Sequence, residues 1–182
     1  MKILLVYGTT EGQTRKIARF IADRLAGFGH SVQQADSTEI AASLDVGAFD
    51  AIVVAASLHV GHYQSSVIHF VGEHRAALAA RPNAFISVSL SAASDEPEDI
   101  ESLKECVAHF VAQTGWTPRR THHVAGAFRY TAYDFFKRWA MKYIAYRKGA
   151  PTNTHRDYEL TDWDDLRQFV DSFAEGVGQT TP

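Results

Sequence analysis

Two rhythms of apolar residues take turns along this chain: short solid runs, and longer stretches in which apolar positions recur at helical spacing. The solid runs predict strands at Lys2–Val6, Ser31–Gln34, Ala51–Ala55, Ala84–Leu90 and His122–Phe128. The spaced stretches predict helices at about Gln13–Ala26, Thr38–Leu44, Ser65–Ala80, Asp99–Thr114 and Asp162–Ala174. In the first helix Ile17, Ile21 and Leu25 share one face, and Gly27 and Gly29 supply its exit. Thr161 reads as the N-cap of the last, with Asp162, Asp164 and Asp165 complementing the positive helix end. Strands that alternate with helices predict an α/β domain built on a five-stranded parallel sheet.

Wound in both directions from its first strand, such a sheet takes the order 2-1-3-4-5. A ligand then sits at the switch point, beyond the carboxyl ends of strands one, three and four. Three polar loops converge there: Gly8–Thr14, Ser57–Tyr63 and Ser91–Pro97. The first carries the strongest chemistry. Gly8, Thr9, Thr10, Glu11, Gly12, Gln13 and Thr14 lead from a buried strand into a helix, so backbone N–H groups, three hydroxyls and a helix N-terminus can meet an anion. The loop lacks the lysine of a triphosphate P-loop and the spaced glycines of a dinucleotide fingerprint, so a monophosphate such as that of FMN fits it. Glu11 must then turn its carboxylate away.

In the second loop, Gly61 permits a tight turn, while Ser57, Leu58, His59, His62 and Tyr63 offer polar, apolar and aromatic edges to an isoalloxazine ring, with Tyr63 the expected ring contact. Two imidazoles without a third ligand do not make a zinc site, so no metal is expected. In the third, the backbone of Ser91, Ala92, Ala93 and Ser94 can approach the polar edge of a flavin, whereas Asp95 and Glu96 read as an ordinary acidic helix entry.

With 182 residues, 46% of them hydrophobic, the chain is expected to fold as a single domain spanning 1–182. No apolar run approaches the roughly 20 residues that cross a bilayer, and Met1-Lys2 leads straight into a strand, so a cytoplasmic protein is expected. The lone Cys106 falls within a helical pattern and reads as a structural thiol. Charge is unevenly spread: between Ala125 and Ala150, six basic residues face the single acid Asp134, leaving +5 there and −8 elsewhere in a chain of net −3. On a helical wheel over 132–147, Phe135, Phe136, Trp139 and Tyr143 share one half, with Lys137, Arg138 and Lys142 mostly opposite. Such a segment, 129–150, either packs its aromatic face on the domain or lies in a membrane interface against anionic lipid. Nucleic acid is not expected, because the acidic body opposes a polyphosphate and no binding motif is visible.

Glu11-Gly12-Gln13-Thr14, Gly61-His62-Tyr63 with Ser65, Ala84-Phe85 leading to Ser87-Val88-Ser89-Leu90, Ala125-Gly126-Ala127-Phe128-Arg129-Tyr130 and Thr161-Asp162-Trp163 together carry a family resemblance. Over nearly its whole length the chain resembles the flavodoxin-like, quinone-dependent protoporphyrinogen IX dehydrogenases of bacterial haem synthesis. The resemblance implies a flavodoxin-like fold with a long aromatic and basic insert after strand five, and FMN as cofactor. It further implies removal of six electrons and six protons from protoporphyrinogen IX, passed two electrons at a time to a membrane quinone. Arg129, Phe135, Phe136, Lys137, Arg138 and Trp139 would then meet the tetrapyrrole, the quinone or an anionic membrane surface, with the protein peripheral to the inner face of the cell membrane. No side chain is assigned as general base. A soluble electron carrier and an NAD(P)H:quinone reductase are the competing classes; the basic segment opposes the first, and no separate nicotinamide motif marks the second. Monomer and homodimer are both compatible with the sequence.

Overall fold

The computed structural model describes residues 1–41, 43–128 and 158–178. Its logic is visible in β1 (Lys2–Gly8), whose residues are buried on alternate faces. Ile3 and Leu5 join a cluster with Ile17, Ile21 and Leu25 of α1 (Gln13–Gly27) and Leu166, Val170 and Phe173 of α4 (Trp163–Gly178). Leu4 and Val6 point the other way, into a cluster with Val67, Phe70 and Val71 of α2 (Ser65–Ala79) and Phe110 of α3 (Pro97–Thr114). Both faces of the sheet are therefore covered, which is why its inner strands read as unbroken apolar runs.

The sheet runs β2-β1-β3-β5-β6, all parallel, with β2 at Ser31–Asp36, β3 at Ala51–His59, β5 at Asn83–Ser89 and β6 at Thr121–Ala125. This is the expected doubly wound order, with one addition. Strand β3 outruns its predicted end at Ala55, reaches His59, and folds back through Val60 and Gly61 into a two-residue strand, β4 (His62–Tyr63). Both turn residues have positive φ, +49° and +77°, the geometry that suits the twist of a two-residue hairpin.

Three further expectations are corrected. The described residues of Thr38–Leu44 form turns and irregular backbone instead of a helix, beginning with an Asx turn in which Asp36 Oδ1 accepts hydrogen bonds from both the amide and the hydroxyl of Thr38. Ile40 and Leu44 still pack against the second cluster. The run His122–Phe128 is split: β6 ends at Ala125, Gly126 bonds both Ser89 and Leu160, and β7 (Ala127–Phe128) pairs antiparallel with β8 (Tyr158–Glu159). Thr161 does not cap α4. Asp162 does, its Oδ1 accepting from the amides of Asp164 and Asp165 at 3.0 and 2.9 Å. Residues 129–150, the proposed insert, lie outside the described residues.

Among the described residues no helix is long and apolar enough to cross a membrane. Cys106 is partly buried against the second cluster, and burial pushes its thiol up from the usual range, consistent with a structural role.

Candidate functional site

A cleft opens at the carboxyl ends of β1, β3, β5 and β6, where the two winding directions of the sheet diverge. One wall is the strand-to-helix loop. Gly12, in the left-handed region at φ +91°, is the N-cap of α1 and has no side chain to satisfy the first amides of the helix. Its own N–H donates to Thr9 Oγ1 at 2.9 Å, which folds the loop over. No acidic residue occupies the first turn of α1. Thr14 is fully buried yet lines the cleft, and its hydroxyl has no hydrogen-bond partner among the described residues. An orphaned hydroxyl beside uncapped helix amides is what a bound anion would satisfy. The residues present therefore fit the phosphate of FMN. Glu11 supplies the sole carboxylate among the described lining residues, which include no lysine or arginine, so neutral hydroxyls and amides would carry the contact.

Thr9, Thr10, Glu11, Gln13 and Thr14 all line the cleft. Gly8 serves packing instead: a Cβ there would meet Val67 Cγ2 at 2.4 Å, so only glycine lets α2 approach the end of β1. Gln64, which no local sequence signal marks, braces two of the loops by donating from Nε2 to Thr10 Oγ1 at 3.1 Å and to Ser57 Oγ.

On the opposite side, Ser57, Leu58, His59 and Gly61 line the cleft, and Val60 joins them at the hairpin tip, 73% exposed. Tyr63 does not. It is 6% exposed, packed edge-on to Phe85 and Phe110, and hydrogen-bonded through its hydroxyl to Ser87 Oγ at 2.9 Å. Burial pushes its phenol up to about 12. The aromatic residue expected at a ring is a core residue, turned inward by the alternation of β4. His62, one position earlier, is exposed on the outer side with its ring 6.1 Å from that of His109.

In the third loop, Ser91 lines the cleft, while the amides of Ala92, Ala93 and Ser94 are engaged within a 3₁₀ turn by Ser89 Oγ, Leu90 O and Ser91 O. The remaining wall was not foreseen. Val88, Ser89 and Leu90 come from the end of β5, and Gly126 and Ala127 from the β6–β7 break. Their position follows from parallel pairing of β5 with β6, a long-range fact that local pattern does not encode.

Behind the loop, Lys16 Nζ meets Glu159 Oε2 at 2.5 Å, and Trp163 Nε1 donates to Glu159 Oε1 at 2.7 Å. Burial pushes the Glu159 carboxyl up, but the bonds from Lys16 and Trp163, the Lys16 charge and a bond from Gln13 outweigh it and hold the group below its usual range.

A model of the flavodoxin domain matches residues 4–155. A protoporphyrinogen IX dehydrogenase [quinone] of Escherichia coli K12 is 32% identical over 181 residues, spanning 100% of this chain and 99% of its own. The chain belongs to this flavodoxin-like dehydrogenase family. A family member of the same name from Leishmania major is 30% identical over 175 residues, which cover 95% of this chain and 74% of that one. Among solved structures, a short-chain flavodoxin associated with a bacterial microcompartment aligns over 100% of this chain and 99% of its own, with a TM-score of 0.62 and 14% identity, a likeness of fold. This family member is thus a flavodoxin-like oxidoreductase with a flavin-type cleft.

Proposed function

We propose that this protein oxidises protoporphyrinogen IX to protoporphyrin IX, with FMN as its resident cofactor and a membrane quinone as acceptor. The observation that carries the reading is the buried, unpartnered Thr14 hydroxyl at the uncapped head of α1, in a chain related end to end to dehydrogenases of that name. When bound, FMN supplies the two-electron chemistry. The residues bind and orient. Thr9, Thr10 and Thr14 with the first amides of α1 hold the phosphate; Leu58, Val60 and Leu90 border the ring with apolar edges; Gly126 and Ala127 keep the facing wall free of bulk. Arg129, Phe135, Phe136, Lys137, Arg138 and Trp139, outside the described residues, give the tetrapyrrole carboxylates, the quinone or an anionic membrane their contacts, at the cytoplasmic face of the membrane.

The test is anaerobic stopped-flow absorbance of FMN-loaded protein mixed with protoporphyrinogen IX and then with a quinone. Flavin bleaching with porphyrin appearance, followed by reoxidation, is the expected course. A flavin that stays oxidised while demonstrably bound removes protoporphyrinogen as donor, and bleaching by NAD(P)H instead would make the protein a nicotinamide-dependent reductase. For the membrane reading, a chain with Phe135, Phe136 and Trp139 all changed to Ser is expected to lose co-sedimentation with anionic vesicles; undiminished binding would refute the role of those residues.

A further inference from the structure

Just beyond β8, side chains tie the head of α1 to the end of β6. Gln13 Nε2 donates to Thr161 Oγ1 at 2.9 Å, and the Thr161 hydroxyl donates in turn to Ala125 O at 2.7 Å. A threonine has one hydroxyl hydrogen, so once it is given to a carbonyl the oxygen can only accept from Gln13, which fixes the direction of the relay. Alongside it, Leu160 N donates to Gly126 O at 3.0 Å, and Gly126 N to Ser89 O at 3.0 Å. The relay therefore bridges the two sides of the cleft, Gln13 and Thr14 on one and Gly126 and Ala127 on the other.

We propose that Thr161 is a positioning residue for the flavin site, acting through Gln13 to hold the first turn of α1, and with it the Thr14 hydroxyl, in register with the end of β6. The inference rests on the FMN reading for the identity of the ligand. Its physical basis is preorganisation: a cradle already held in its binding geometry loses less freedom when the phosphate arrives. Because linkage is reciprocal, a bound cofactor must also steady the chain around Leu160 and Thr161.

The experiment measures FMN dissociation constants by quenching of flavin fluorescence for the wild type, Thr161→Val and Thr161→Ser, together with amide hydrogen exchange at Leu160 with and without FMN. Valine keeps the shape and loses both bonds; serine keeps both bonds and loses the methyl group. FMN binding should weaken about tenfold in Thr161→Val, the equivalent of one hydrogen bond, and return to within about twofold of wild type in Thr161→Ser. FMN should slow exchange at Leu160 in the wild type and do so less in Thr161→Val. Equal FMN affinity in wild type and Thr161→Val overturns the proposal, as does a Thr161→Ser protein as weak as the valine variant. Should Thr161→Val fail to fold, the serine variant and the wild-type exchange decide, and absence of FMN-dependent protection at Leu160 overturns the proposal. A wild-type protein that takes up no FMN defeats the cofactor reading itself, an outcome distinct from the others.

Discussion

Tyr63 shows how much hangs on the direction of one side chain. Its hydroxyl and Ser87 Oγ satisfy each other in the core, and Ser87 is fully buried. Changing Tyr63→Phe keeps the ring packing but strands the Ser87 hydroxyl, so urea unfolding should show a loss of about 1–2 kcal/mol. The FMN dissociation constant should meanwhile stay within about twofold of wild type, because the ring is not in the cleft; a larger loss would return Tyr63 to the site. At this scale the site was half legible. The hydroxyls of Thr9, Thr10 and Thr14 announce themselves by type and spacing, whereas Gln64, with a neutral amide, and Gly126, with no side chain, matter only through what they lie beside.

Among the elements, the β3–β4 hairpin and the head of α4 invite direct tests. Val60 is a β-branched residue at φ +49°, a region costing an L-residue roughly 1–2 kcal/mol that asparagine tolerates better. Val60→Asn should therefore raise stability by about 0.5–1 kcal/mol in urea unfolding; destabilisation would mean that the valine side chain has contacts outweighing the strain. Asp162→Ala should cost about 1 kcal/mol by the same measurement, since it removes the acceptor for two helix amides. If that variant unfolds like wild type, Asp162 is not the cap. Both features were misread for one reason. Periodicity locates the middle of an element well, but its ends are decided by a few local hydrogen bonds, such as the pairing of Leu58 with Tyr63 and of His59 with His62 in the hairpin and the bonds of Asp162 with Asp164 and Asp165.

For the molecule as a whole, three partly buried histidines make stability fall on mild acidification. His30 is held below 6.5 by burial and by the nearby N-terminal charge. His123 is held below it by burial and then by His122; burial also lowers His122, opposed by Asp165 and reinforced by Arg120. The unfolded chain protonates these groups first, near pH 6.5, so it binds more protons than the folded one and stability must fall as pH drops below that value. Thermal unfolding between pH 8 and pH 5 should show Tm declining from about pH 6.5 downward, before the carboxylates titrate, and His123→Gln should flatten the slope. A Tm that holds constant down to pH 5 would contradict this. Taken alone, the sequence determined the layered α/β architecture and the hydroxyl-rich loop between the first strand and the first helix, because each rests on local periodicity and on residue types adjacent in the chain, and the doubly wound rule for such a sheet then supplied the strand order. Tertiary structure alone decided that Tyr63 turns inward, that the β5 end and the β6–β7 break wall the cleft, and that Thr161 reaches Gln13. Those contacts join residues far apart in the chain, as Gln13 is from Thr161, and pairing register and side-chain facing across such distances are fixed by the packing of the whole sheet.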